Sequence, residues 1–114
     1  HQKKIDSHMV TTGYNFEGYK ITKYINIVQS EIVLGTGFLS EISATVTDTL
    51  GISSATMANK LSEAKYEVQY KLIRKSIKSG ANATIGIDFD ITTLRNNILV
   101  VSATGTAVVI EQEI

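Results

Sequence analysis

The chain has no cysteine, no proline and no tryptophan, and its two histidines, His1 and His8, both lie within the first eight of its 114 residues. Without cysteine there can be no disulfide, no thiolate metal site and no thiol nucleophile, and such a chain suits a cytoplasmic setting. Without proline, and with eight scattered glycines, nothing reads as an interdomain linker, a repeat or a low-complexity tract. Neither charge sign is in excess, 11 Lys and Arg standing against 11 Asp and Glu. Nucleic acid and anionic membrane are therefore not expected as partners. No run of 18 apolar residues exists to cross a bilayer, and no charged-then-apolar leader opens the chain.

What remains is the composition of one globular domain, 43% hydrophobic and 19% charged. The polar, unpatterned residues 1–9, ending Ser7-His8-Met9, read as an expression-vector remnant ahead of a domain covering residues 10–114. Setting them aside leaves no imidazole. Ser53 and Ser54 then have no base to activate them, and a hydrolase would have to rely on Asp88, Asp90 or the tyrosines alone. A non-enzymatic protein is the expectation.

Periodicity sets the architecture. Residues 10–12 suit a short edge strand and 13–18 a turn. Residues 19–34 are rich in Ile, Tyr, Val and Thr and read as a long strand, with a change of apolar parity that predicts a bulge near Gln29–Glu31. Gly35-Thr36-Gly37 precedes a short helix over about 38–50 that Gly51 would end, and two glycines there could present free amides to an anion or simply make a turn. A long helix follows over 54–79, capped by Ser53 or Ser54 and stopped by Gly80. Ile85, Ile87, Phe89 and Ile91 alternate with polar residues, as do Leu99, Val101, Ala103, Gly105, Ala107 and Val109. For both dry sets to share a face the connecting loop must be odd in length, and Arg95–Asn97 sets Phe89 opposite Ala103. The fold expected is α+β, in two layers, with an antiparallel sheet packed by one long and one short helix.

Two features stand out. The long helix carries two apolar stripes. Met57, Leu61, Ala64, Val68 and Leu72 can lie in the trough made by Ala103, Gly105 and Ala107, whereas Tyr66, Tyr70, Ile73 and Ile77 fall on nearly the opposite side. An uncovered stripe of that size exposes about 400 Å² of apolar surface, a gross burial term of about 10 kcal/mol. Either the chain's own arm covers it or a second copy does, and we expect a homo-oligomer. Secondly, Asp88 and Asp90 project from one strand face about 7 Å apart, opposite Thr104 and Ser102. Such a face can hold a small ligand or a hard cation such as Ca²⁺ or Mg²⁺, or can simply tie strands together by hydrogen bonds.

Gly80-Ala81-Asn82-Ala83-Thr84-Ile85-Gly86-Ile87-Asp88-Phe89-Asp90 and Ser102-Ala103-Thr104-Gly105-Thr106-Ala107-Val108, with Val10-Thr11-Thr12 and Glu31-Ile32-Val33-Leu34-Gly35, resemble the YbjQ-like family of small bacterial proteins. The resemblance implies an α/β subunit with an antiparallel sheet assembled as a homopentamer, an uncharacterised function and a family label of heavy-metal binding. A soft metal wants thiolate or imidazole, which residues 10–114 do not contain. At Gly51-Ile52-Ser53 the chain departs from the Gly-Gly stretch with a basic residue more usual in the family.

Overall fold

The computed structural model of the chain describes residues 2–34, 50–95 and 98–114, the side chains of residues 50–57 excepted. The loop and short helix expected over 35–49, and the side chain of Met57, lie outside the described residues. The elements in order are α1 (Gln2–Ser7), β1 (Met9–Val10), β2 (Tyr19–Leu34), α2 (Leu50–Lys78), β3 (Ala83–Leu94) and β4 (Ile98–Gln112). The strands form one sheet in the order β1-β3-β4-β2. No helix of the described residues is long and apolar enough to cross a membrane.

The sheet is mixed, not purely antiparallel. β2 and β3 pair antiparallel with β4, but β1 runs parallel to β3, with Met9 beside Ala83 and Val10 beside Thr84. A parallel neighbour needs a long crossover, and here β2 and α2 supply it. The β3–β4 hairpin has the odd loop expected: Leu94 pairs with Ile98, Phe89 with Ala103, Asp88 with Thr104 and Asp90 with Ser102.

The expected unbroken alternation in β3 is corrected at Gly86. Between Ile85, which pairs with Thr106, and Asp88, which pairs with Thr104, two β3 residues face one on β4. Gly86 takes φ +61°, the left-handed region open to glycine at no steric cost, and its amide donates to the Gly13 carbonyl at 2.7 Å. This bulge turns Ile85 to one side of the sheet and Ile87 to the other. β2 is irregular too, but at Ile21–Lys23 and Tyr24–Asn26 instead of the expected 29–31, where the register with β4 is regular. The parity change arises upstream, so Ile21 and Ile25 reach opposite sides.

Two cores result, one on each side of the sheet. On the helix side, Ala64, Val68 and Leu72 of α2 pack with Val28, Ile87, Val101, Ala103 and Ala107. The small side chains of Ala64, Ala103 and Ala107 let α2 come close, as the trough predicts, and full burial of Val68 and Leu72 contributes about 1.5–3 kcal/mol each. On the reverse side, Ala83, Ile85, Val108 and Ile110 are covered by Met9, Phe16, Tyr19 and Ile21, with Phe16 edge-on to Tyr19 at 6.5 Å.

α2 starts at Leu50, so Gly51, Ser53 and Ser54 lie inside it and neither serine is its cap. Once a helix is nucleated, each added residue gains a bond, and glycine or serine in the first turns costs at most about 1 kcal/mol. The C-terminal stop falls at the expected glycine: Gly80 has φ +100°, its amide donates to Ile77, and the Ala81 amide donates to Ser76. This is the paired bonding of a Schellman ending. Asn82 then stitches the chain to β4, its side chain donating to the Ile110 carbonyl at 2.9 Å and accepting from the Ile110 amide at 2.8 Å.

Gly105 faces the bulge, and a Cβ there would lie 2.8 Å from the Thr84 methyl and 3.2 Å from the Ile85 carbonyl. Gly105→Ala is expected to destabilise the fold by about 1–3 kcal/mol, read from the midpoint of urea unfolding at unchanged slope.

Candidate functional site

β3 and β4 place Asp88, Asp90, Ser102 and Thr104 on the reverse face of the sheet, beyond the end that Phe16 covers. Asp88, Asp90 and Thr104 are exposed and Ser102 is half-buried. β2 adds two residues that sequence reasoning did not bring here: Gln29 pairs with Thr104 and Glu31 with Ser102. Each polar row therefore runs across three strands, Asp88–Thr104–Gln29 and Asp90–Ser102–Glu31, with Asp90 and Glu31 about 10 Å apart by strand spacing. The facing hydroxyls do not bind the carboxylates. Ser102 Oγ donates instead to the Asp90 main-chain carbonyl at 3.5 Å. A shallow recess of about 210 Å³ lies at the β2 side of this face, lined by Gln29, Ser30, Glu31, Lys75, Ser102 and Thr104.

The second helix stripe divides. Tyr66 is 75% and Tyr70 41% exposed. Ile73, expected with them at an interface, is buried within its own chain at 9% exposure. Ile77 is half-buried and shares a cleft with Lys4, Ser7 and His8. The buried arc of α2 widens toward its C-terminal end, where Val68, Leu72, Ser76 and Ile73 together span roughly 140° at 100° per residue. The reading that set residues 1–9 aside also removed α1, the element that packs against that end of the helix.

His8 and Met9 belong to the fold. His8 is 8% exposed and its Nε2 lies 2.8 Å from Thr84 Oγ1. Thr84 Oγ1 donates to Ser76 Oγ at 2.8 Å, and Ser76 Oγ donates to the Ala83 carbonyl. With the threonine proton committed to Ser76, Nε2 must donate to Thr84, which fixes the neutral Nε2–H tautomer. Nδ1 is buried with no partner. Desolvation lowers the His8 pKa from 6.5 to about 4. The sequence signal for this network was a serine, Ser76, standing one helical turn beyond Val68 and Leu72 on the core stripe.

A family model described as "Putative heavy-metal-binding" matches residues 8–111. The chain belongs to this family, YbjQ. Among its relatives are UPF0145 proteins of Anoxybacillus flavithermus, 36% identical over 104 residues, and of Geobacillus thermodenitrificans, 40% identical over 100. The alignments cover 91% and 88% of this chain and 99% and 96% of those proteins. A crystal structure of a protein of unknown function of the DUF74 family from Pediococcus pentosaceus shares the fold, with TM-score 0.60 over 91% of this chain and 98% of that one at 20% identity.

The residues of this YbjQ chain do not fit a soft heavy metal. It has no thiolate, its one described imidazole is spent on Thr84 through Nε2, and among the described residues no three of His, Cys, Asp and Glu come together as metal ligands. Its most family-like block is explained by folding instead: Gly80 stops α2, Asn82 bonds β4, and Ala83 and Thr84 are fully buried.

Because the folded chain resists protonating His8, the unfolded chain binds the extra proton between about pH 6.5 and 4. Stability is therefore full above that window and lost as pH falls through it. Between pH 7.5 and 5 the loss assignable to His8 is expected to be about 2 kcal/mol, measured as the difference in urea unfolding between wild type and His8→Gln, whose profile should be flatter.

Proposed function

We propose that this YbjQ protein works in the cytoplasm as a non-enzymatic homo-oligomer, whose copies cover one another's exposed apolar surface and hold a small ligand or ion where they meet. The observation that carries this reading is the apolar surface left open on a single copy: Tyr66 and Tyr70 on α2, and Ile27 and Val33, 78% and 60% exposed, on the reverse face of β2. The shape supports it. The radius of gyration is 17.3 Å, with extents of 58 × 26 × 25 Å, where a compact chain of this length has about 13 Å. Exposed tyrosines suit the core of an interface, with polar residues at its rim. Five copies is the number the family resemblance implies.

A second reading, an oxygen-ligated cation site at Asp88 and Asp90, is favoured by the two exposed carboxylates on one strand face, with Thr104 between Asp88 and Gln29 and Ser102 between Asp90 and Glu31. A hard cation takes about six oxygens, so water or a second copy would complete the shell.

Light scattering at micromolar concentration should give a mass several times the 12.4 kDa of one chain, and Tyr66→Glu with Tyr70→Glu should reduce it to one copy; a monomeric wild type overturns the oligomer. Calorimetric titration with Ca²⁺ or Mg²⁺ tests the alternative. Saturable heat abolished in Asp88→Asn supports it, and no saturable heat, or heat unchanged in that variant, ends it.

A further inference from the structure

Whole-chain neutrality hides a local separation of charge. From Glu67 to Asp88 the chain carries Lys71, Arg74, Lys75 and Lys78 and no acid between them. The helix C-terminus by itself favours two such cations, and Lys75 has a structural task, donating from Nζ to the Gln29 carbonyl at 2.7 Å on the β2 edge. That leaves Arg74 and Lys78, and α1 brings a further cation to them. A cleft of about 630 Å³ between α1 and the last two turns of α2 is lined by Lys4, Arg74, Lys75, Ile77 and Lys78, with no carboxylate in its wall. Among the described residues neither Lys4, Arg74 nor Lys78 has an ion pair. The Arg74 guanidinium sits 5.8 Å from the Tyr70 ring centroid, a contact that steadies it without neutralising it. The acids on the flanking elements lie outside that wall: Asp6 of α1 accepts from the Gln2 side chain at 3.0 Å, and Glu31 of β2 lines an adjoining recess that shares Arg74 and Lys75 with the cleft.

Four cations from two helices repel one another across this cleft, and a bound anion removes the repulsion. We propose that the cleft binds the phosphate groups of a ligand carrying two or more phosphates in a row. Arg74 offers a planar fork for two phosphate oxygens, and Lys4 and Lys78 act as point charges on either side. Ile77 provides an apolar floor. Lys75 holds β2 and adds its charge from the rim. The cleft volume lies in the range of small-molecule sites. The site is separate from the Asp88/Asp90 face and does not depend on self-association.

The test is calorimetric titration of the whole chain with inorganic pyrophosphate and tripolyphosphate at fixed, near-physiological salt, alongside flotation with vesicles of phosphatidylcholine containing phosphatidylinositol bisphosphate. Saturable binding of the free oligophosphates, weakened at least tenfold by Arg74→Gln and by Lys4→Gln with Lys78→Gln, and left unchanged by Lys20→Gln on β2, supports a soluble ligand. Binding confined to the vesicles with the same pattern of loss supports the same phosphate site filled by a headgroup. Arg74→Lys should bind at intermediate strength, which separates the bidentate role from charge alone. Absence of saturable binding in both arms overturns the proposal, as does binding that Arg74→Gln and the lysine pair leave intact.

Discussion

The bulge at Gly86 governs which side of the sheet every later residue of β3 occupies. One extra residue opposite Gly105 sends Ile85 into the reverse-face core and Ile87 into the helix-side core, so a strand that would otherwise have one dry face serves two. The same inversion keeps Asp88 and Asp90 on the reverse face beside Thr104 and Ser102. It depends on two glycines, one that accepts a left-handed backbone and one with no Cβ to meet Thr84. The N-terminal segment adds its weight, since the Gly86 and Ile87 amides donate to Gly13 and Thr11. The bulge, the parallel strand and the two cores are thus one arrangement, not three.

Much of this was legible wherever local rules and tertiary packing agree. The limits of β2, the odd hairpin loop, the pairing of Phe89 with Ala103 and the glycine stop of α2 all follow from period, parity and the conformational range of glycine. The failures share a different cause. The bulge at Gly86 needs Gly13, a residue more than seventy positions away, to receive its amide. The start of α2 at Leu50 ignores a locally sensible serine cap because helix extension is cheap. The burial of Ile73 and the half-burial of Ile77 lie at the end of the helix where α1 packs, a segment whose composition suggested no structure. Glu31 reached the Asp90 row only through pairing with β4, which no pattern within β2 announces.

On function, charge and donor chemistry say more than the family's description does. Without thiolates, and with the one described imidazole sealed against a threonine, the described residues gather no donor set of the kind soft metals select. The residues that make the family recognisable are the ones that end a helix and begin a strand, and such residues persist whatever the protein binds. The groups left over after the fold has used what it needs are the tyrosines of α2, the carboxylates of the reverse face and the cations at the end of α2. The cations line a cleft together with a side chain from another helix, Lys4 of α1.

The parallel strand has a kinetic corollary. His8 and Thr84 are 76 residues apart in sequence, so closing β1 onto β3 carries a large loop-entropy cost that the β3–β4 hairpin and its contacts with α2 do not bear. With only two paired residues to repay that cost, the arm is expected to dock late and its amides to exchange early with solvent deuterium when the native state breathes. Whatever tension or partner acts on the N-terminal end would peel β1 first. That would uncover Ile85 and the Thr84 hydroxyl and withdraw Val10 from the edge of the helix-side core, while Ala64, Val68 and Leu72 keep their packing with Val101, Ala103 and Ala107.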